Sequence, residues 1–273
     1  MSDDLTAGAI QARVCTQWLG SNCIYRDRVD STNARLLEWA RGDAPHGTLL
    51  AADTQSHGRG RLSRTWHSPA GLNLYFSVLL RPRWDLGATP TLSLAAGVAL
   101  AESCRKMLPS APELKWPNDL LWSGRKLAGI LVETAVDSSG VLYAVVGIGI
   151  NVNQRQFPAE LQESAGSLRL AAGRCFDRLE VLAAVLEQLE TWIDCLGEEG
   201  GSRVVAAWKQ HAPWLGRQIT VRHGDQVLSG TAVGLEPHGA LRLRDADGRE
   251  HSMLSGDASL TDAPLDESKR IVT

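Results

Sequence analysis

The chain lacks the sequence signatures that would name a function by themselves. No segment reaches the roughly 18 apolar residues expected of a membrane helix. The first twenty residues carry no basic stretch followed by a long apolar run, so neither a span nor a secretory leader is expected. The five cysteines, Cys15, Cys23, Cys104, Cys175 and Cys195, are odd in number and scattered. None forms a C-x-x-C pair, which leaves no zinc site and no disulfide framework. They read as reduced thiols of a cytoplasmic protein. The seven histidines show no metal-ligand spacing such as H-x-x-x-H. A G-x-S-x-G nucleophile elbow and a P-loop are both absent, so covalent catalysis by the protein and a P-loop nucleotide site are not expected. The net charge of −3 removes the bulk electrostatic case for nucleic-acid binding. There is no internal repeat and no low-complexity tract.

What is present suffices for a large core. Of the 273 residues, 44% are hydrophobic, enough for one large domain or a medium and a small one. A helix is expected over Ala7 to Leu19 and a strand over Cys23 to Arg28. The polar run Asp30-Ser31-Thr32-Asn33 supplies cap candidates for a helix ending at Ala40. Strands are expected over Gly47 to Ala52, Leu72 to Leu80 and Leu142 to Val152. Leu92 to Leu108 reads as a buried helix. Glu113 to Trp116 and Lys126 to Thr134 read as a hairpin turning at Ser123-Gly124. Asp177 and Glu180 fit a capping box ahead of Leu182, Leu186, Leu189 and Ile193 at helical spacing. From about Pro213 the texture changes to short alternating strands separated by turn clusters, as in a small barrel of about five strands. The tail after Leu260 is expected to fray.

The chemistry concentrates in a few places. Gly58-Arg59-Gly60-Arg61 lets backbone approach a ligand closely while two guanidiniums converge on it, which suits a phosphate or a carboxylate; a solvated basic loop is the alternative. Arg64 and Trp66 follow, a third cation and an indole that suit a nucleotide or a flat ring, unless Trp66 is core. In Lys115-Trp116-Pro117-Asn118-Asp119, Pro117 and Asn118 serve turn chemistry or a ligand. Asp119 near a cationic loop is able to hold Mg²⁺ on a triphosphate. Lys126 is either a solvated residue at a strand head or a point charge for a phosphate. Gly147 and Gly149 within a strand mark close approach of a ligand or of another backbone. Together these features point to an enzyme that activates a carboxylic acid with a nucleotide.

Five segments in this order resemble the biotin–protein ligase family, also called biotin–[acetyl-CoA-carboxylase] ligase. They are Ser31-Thr32-Asn33, Gly58 to Arg61, Lys115 to Asp119, Arg125 to Glu133, and Gly147 to Asn151, and the resemblance runs from about Cys23 to Leu260. It implies an α+β fold: a mixed β-sheet backed by helices, related to class II aminoacyl-tRNA synthetases, then a small SH3-like β-barrel. The domains would be a catalytic unit over 1–212 and a barrel over 213–273. The implied roles give the biotin ureido ring to Ser31, Thr32 and Gln55. Backbone near Gly58, Gly129 and Leu131 closes the pocket. Arg59, Arg61 and Lys126 take the biotin carboxylate and the α-phosphate. Arg64, Trp66, Asn118 and Asn151 lie on the nucleotide side, and Asp119 faces Mg²⁺. ATP, Mg²⁺ and biotin would then be bound as substrates, with no resident cofactor, and the acceptor would be the biotin carboxyl carrier protein.

Two departures from the family pattern stand out. No tryptophan follows the Gly-Ile-Asn segment near Ala165-Gly166-Ser167, and Ser259-Leu260 is followed by Thr261 where some members carry arginine. Bifunctional members carry a DNA-binding helix-turn-helix ahead of the catalytic domain. Only thirty residues precede Ser31 here, so a monofunctional ligase without operator binding is expected. An exposed sheet edge would allow a homodimer. A lipoate ligase shares the adenylation logic, but Ser31, Thr32 and Gln55 favour biotin, whose ureido group needs polar partners that a dithiolane does not. A non-catalytic regulator is disfavoured by the intact charged set.

Overall fold

The computed structural model describes residues 5–42, 44–81, 89–136 and 142–260. In chain order the first part holds α1 (Ala7–Arg13), β1 (Cys23–Val29), α2 (Thr32–Ala40), β2 (Leu49–Gln55), β3 (Leu74–Leu80), α3 (Thr89–Arg105), β4 (Glu113–Lys115), β5 (Asp119–Trp122), β6 (Arg125–Val136), β7 (Leu142–Ile150), α4 (Leu168–Ala172), α5 (Arg178–Glu199) and α6 (Gly201–Gln210). The strands form a seven-stranded sheet in the order β1-β2-β3-β7-β6-β5-β4. The β1–β2 pair is parallel and the other ladders are antiparallel, so the sheet is mixed as expected.

Strand alternation divides the apolar residues between two faces. One face presents Phe76, Val78, Val146, Ile148 and Ile130 to the main core, which α3, α5 and α6 complete. The other presents Leu50, Leu79, Tyr143 and Val145 to Leu36 and Ala40 of α2. Full burial of a leucine such as Leu36 stabilises by about 1.5–3 kcal/mol. Ser31 starts α2 in an extended conformation, its Oγ accepting from the Ala34 amide at 3.4 Å. Toward the start of α2 the same face carries Ser77 and Gly147, which meet Thr32 and Asn33, and then Gly149 beside Gly129. With no bulky side chain among them the sheet lies bare, and the cavity described below opens there.

Several expectations change. The first helix stops at Arg13, short of Leu19, because α5 captures the following backbone. Glu190 accepts the amides of Gln17 (2.8 Å), Trp18 (2.8 Å) and Leu19 (2.9 Å), which are therefore not available to a helix ladder. The third helix ends at Arg105, since Pro109 disfavours helical geometry at Leu108. The expected hairpin is a three-stranded meander. Asp119–Trp122 is a strand of its own, and Ser123-Gly124 turns it into β6. Asp177 caps α5 by accepting from Leu179 at 2.8 Å, but Glu180 does not close a capping box: its carboxylate takes Arg13 Nε at 2.6 Å. The short helices α4 and α6 were not foreseen.

The C-terminal part holds β8 (Gln218–His223), β9 (Gln226–Leu235), β10 (Leu241–Arg244), β11 (Glu250–Met253) and β12 (Asp257–Leu260) in an antiparallel sheet ordered β11-β10-β9-β8-β12. The expected five strands are there. Among the described residues no ladder joins β11 to β12 to close a barrel. This sheet docks on the first through tryptophans: Trp116 Nε1 donates to Gly239 O at 3.1 Å and Trp214 Nε1 to Leu114 O at 2.7 Å. The tail beyond Leu260 lies outside the described residues.

Candidate active site

The bare stretch of sheet is the floor of a cavity of about 370 Å³, within the range of small-molecule sites. The loop between β2 and β3 forms its lid. Gly58 O accepts from Trp66 N at 2.9 Å and Gly60 N donates to Arg64 O at 2.7 Å, so the loop is a narrow ribbon. Gly58 is required by crowding, since a Cβ there would lie 2.8 Å from Ser68 Oγ. At the tip, Leu62 (φ 55°) and Ser63 (φ 60°) are both left-handed, and Leu62 is 59% exposed. Two consecutive non-glycine residues in that region store roughly 1–2 kcal/mol each.

Trp66 lies flat on the floor. A Cβ at Gly129 would come within 2.8 Å of Trp66 Cζ3, and one at Gly149 would overlap the indole. The two glycines therefore make room for a side chain. The indole Nε1 is buried without a hydrogen-bond partner among the described residues. Lys126 Nζ stands 5.3 Å above the ring centre, a cation–π contact.

The polar end of the cavity is built by α2 and β2. Gln55 Oε1 accepts from Thr32 N at 2.9 Å and from Thr32 Oγ1 at 3.2 Å, while Gln55 Nε2 donates to Ser68 Oγ at 3.1 Å. Ser31, Thr32 and Gln55 all line the wall. Asn33 lines the wall as well, its amide packed against Gly147.

The cationic end holds Arg59, Arg61, Arg64, Lys115 and Lys126. Lys126 Nζ is 2.6 Å from Asp119 Oδ1 and Arg59 is 2.7 Å from Glu133 Oε1, while Arg64 pairs with Asp257. Arg61 and Lys115 form no ion pair among the described residues. Arg61 instead donates to Asn118 Oδ1 and Gly256 O, each at 3.3 Å. Burial pulls the Arg61 guanidinium below its usual pKa, against the pull of Asp257 and Asp119 nearby. Arginine stays charged across this range, so Arg61 is a poorly hydrated cation without a carboxylate of its own.

Of the residues singled out from the sequence, Ser31, Thr32, Gln55, Arg59, Arg61, Arg64, Trp66, Asn118, Asp119, Lys126, Gly129, Leu131 and Asn151 line this one cavity. Gly58 sits at the loop base, outside the wall. Asn118 and Asn151 are chiefly braces. Asn118 Nδ2 donates to Ile130 O at 2.7 Å, and Asn151 Nδ2 to Gly166 O at 3.0 Å. Lys115, Glu133, Asp257, Phe157 and Leu161 were given no role from the sequence. Phe157 and Leu161 bring apolar surface to the wall formed near Ala165, where the sequence shows no tryptophan.

Known proteins resemble both parts of the chain. The model of the biotin/lipoate A/B protein ligase family matches residues 25–151, and that of the biotin protein ligase C-terminal domain matches residues 214–261. The bifunctional ligase/repressor BirA of Bacillus subtilis is 36% identical over 246 residues, covering 89% of this chain and 76% of the relative. The chain belongs to the biotin protein ligase family. The biotin–[acetyl-CoA-carboxylase] ligase of Paracoccus denitrificans, another member, is 35% identical over 228 residues, covering 82% of this chain and 94% of the relative. The biotin protein ligase of Aquifex aeolicus, solved in complex with biotin and ATP, superposes with a TM-score of 0.76 at 34% identity, covering 88% of this chain and 99% of that one. No described helix is long and apolar enough to cross a membrane. Among the described residues no group of three or more His, Cys, Asp or Glu side chains is placed to hold a metal ion.

Proposed function

We propose that this chain is an ATP-dependent biotin–protein ligase. It forms biotinyl-5′-AMP from biotin and ATP, then transfers biotin to a lysine of the biotin carboxyl carrier protein of acetyl-CoA carboxylase. The observation that carries this reading is one cavity with a neutral hydrogen-bonding end at Thr32 and Gln55 and a cationic end at Arg59, Arg61 and Lys126.

The ureido ring offers N–H donors and a carbonyl acceptor, which Ser31, Thr32 and Gln55 match. Backbone at Gly129 and Leu131 closes around the ring, while Gly58, outside the wall, shapes the base of the lid. The valeryl chain then reaches toward the lid, and its carboxylate meets Arg59 and Arg61. In the first step a carboxylate oxygen bonds to the α-phosphorus as the bond to the pyrophosphate oxygen breaks. Both reactants are anions, so their approach is opposed by charge. Arg59, Arg61 and Lys126 offset that repulsion and stabilise charge developing on the phosphate. Asp119 and the Trp66 face hold Lys126 between them. In the second step the acceptor amine attacks the mixed anhydride carbonyl and AMP leaves. A closed loop over the anhydride excludes water.

Arg64, Trp66, Asn118 and Asn151 would take the nucleotide side, Lys115 the outer phosphates, and Phe157 with Leu161 the adenine face. Mg²⁺ would neutralise the triphosphate, held mainly by phosphate oxygens. Asp119 fits as its protein donor: its carboxylate lines the cavity wall and would exchange part of its pairing with Lys126 for the ion. We take 1–212 as the catalytic unit and 213–273 as an SH3-like unit that buttresses the lid, in a cytoplasmic enzyme.

ATP–pyrophosphate exchange with Mg²⁺, comparing biotin, lipoate and no acid, tests the reading. Exchange with biotin alone is expected. Exchange with lipoate alone would overturn the substrate, and no exchange with either would overturn the adenylation chemistry.

A further inference from the structure

Glu133 lies outside the cavity wall, two residues beyond Leu131 on the same face of β6, and no ligand role falls to it from the reading above. It is nevertheless tied in two directions. Oε1 accepts from Arg59 at 2.7 Å and Oε2 from Asn33 Nδ2 at 3.0 Å. Asn33 is buried, and its Nδ2 also donates to Leu131 O at 3.1 Å. Its Oδ1 accepts from Ser77 Oγ at 2.6 Å, and the same Ser77 hydroxyl lies 2.8 Å from Thr32 Oγ1. Thr32 in turn bonds Gln55. A line of side chains in contact therefore runs Gln55–Thr32–Ser77–Asn33–Glu133–Arg59; two hydroxyl protons serve the three contacts from Gln55 to Asn33, whereas the links of Glu133 to Asn33 and Arg59 are each donated in full.

Each link has a physical reason to be specific. Ser77 carries one proton and faces two acceptors, so its bonds to Thr32 and Asn33 compete. Asn33 fits because Gly147 has no Cβ to collide with its amide. Glu133 is only 22% exposed, whereas Arg59 is 47% exposed, so the carboxylate is the fixed partner and the arginine the movable one. The Asn33 amide donates to Glu133 and to Leu131 O together, so the carboxylate is fixed from the buried side.

We infer that Glu133, held in place by Asn33, is a positioning residue that sets where Arg59 stands. The inference rests on the biotin ligase reading, in which Arg59 receives the carboxylate of the acid. Glu133 acts through Arg59 and touches no substrate.

The test measures, by calorimetry on the full chain, the binding of biotin and of its methyl ester, which keeps the ring and lacks the carboxylate charge. Wild type is read first: failure to bind biotin would overturn the function itself, and this inference with it. In Glu133→Gln the amide oxygen still accepts from Asn33 but the charge on Arg59 is lost. Biotin affinity is expected to fall about fivefold, the scale of a partly exposed ion pair, with the ester within about twofold of wild type. Arg59→Gln should show the same selectivity, and the double variant should be no weaker than the worse single within about twofold. Asn33→Ser, which frees Glu133, should lose biotin selectively as well. Equal loss of acid and ester would mean a merely structural role and overturn the inference. Unchanged biotin affinity in Glu133→Gln, or losses that multiply in the double variant, would overturn it too.

Discussion

Replacing Arg61 by alanine should separate catalysis from stability more cleanly than any other change in the cavity. The structural loss is small. Arg61 makes two hydrogen bonds, to Asn118 and Gly256 O, both at 3.3 Å and both to neutral acceptors. Typical intramolecular bonds contribute about 0.5–1.5 kcal/mol, and bonds this long lie at the low end. Removing a desolvated guanidinium also relieves its burial, so the net change in folding free energy should stay under about 1 kcal/mol. The functional loss should be much larger. Arg61 is a half-buried cation without its own carboxylate, aimed where negative charge builds up on two approaching anions. Loss of one preorganised electrostatic donor lowers turnover by roughly 10²–10³, about 2.7–4 kcal/mol. Lys126→Ala should slow turnover similarly, but it also strips Asp119 of its counterion and should destabilise the fold measurably. The assay pairs ATP–pyrophosphate exchange with urea unfolding on the same preparations. Arg61→Ala within threefold of wild-type exchange would refute the assignment. A stability loss as large as the activity loss would refute the argument that the site is not held together by this residue.

Three other outcomes follow from the geometry. Gly149→Ala should lift Trp66 off the floor, weakening biotin at least about tenfold while overpacking destabilises by about 1–3 kcal/mol; wild-type affinity by calorimetry would show that the indole is not seated as described. Glu190→Gln weakens the carboxylate cradle for Gln17, Trp18 and Leu19 and should destabilise by about 1.5–3 kcal/mol in urea, with exchange activity intact; an unshifted midpoint would refute it. Burial pushes the Cys23 thiol up to about 11 and the Cys104 thiol up to about 12 from 9.0. The folded state then keeps protons that the unfolded state loses, so their contribution is complete below about pH 9 and falls as pH rises toward 11, by up to about 1.4 kcal/mol per unit for each thiol. Urea midpoints at pH 8 and pH 10 check the sign, and equal values would refute it.

What was legible in the sequence follows what is local. Ser31 could be read as a cap because capping needs only the next three residues, and β7 because its apolar run is continuous. The first helix was overextended because its end is decided by Glu190, some 170 residues away in the chain. Strand β5 was hidden because it is only four residues long and lies between a turn and a motif that drew attention for other reasons. Helix α6 opens on Gly201 with no side-chain cap, so no start signal exists. The cavity residues were legible where spacing itself carries the chemistry, as in Gly58 to Arg61, and through resemblance elsewhere. Partners were not: alternation puts Gly129, Leu131 and Glu133 on one face, but only the lid's fold brings Arg59 to Glu133.

The same point explains why composition gave no hint of an anion site. Arg59, Arg64 and Lys126 each stand beside a carboxylate, from β6, β12 and β5 respectively. The charge of the cavity is thus largely balanced from within, in a protein of net −3. Five bare cations in so small a space would repel one another and strain the lid. Supplying counterions from three different strands lets them gather before any substrate arrives. Each carboxylate must then share its cation with an incoming phosphate or carboxylate, while Arg61 and Lys115 have no ion pair among the described residues to give up. The order of engagement follows: an anion should meet Arg61 first, where no ion pair has to be broken, and recruit the paired cations afterwards. The affinity of a lone anion such as pyrophosphate should therefore fall further in Arg61→Ala than in Arg59→Ala or Arg64→Ala, and a calorimetric titration that ranked them the other way would refute this order.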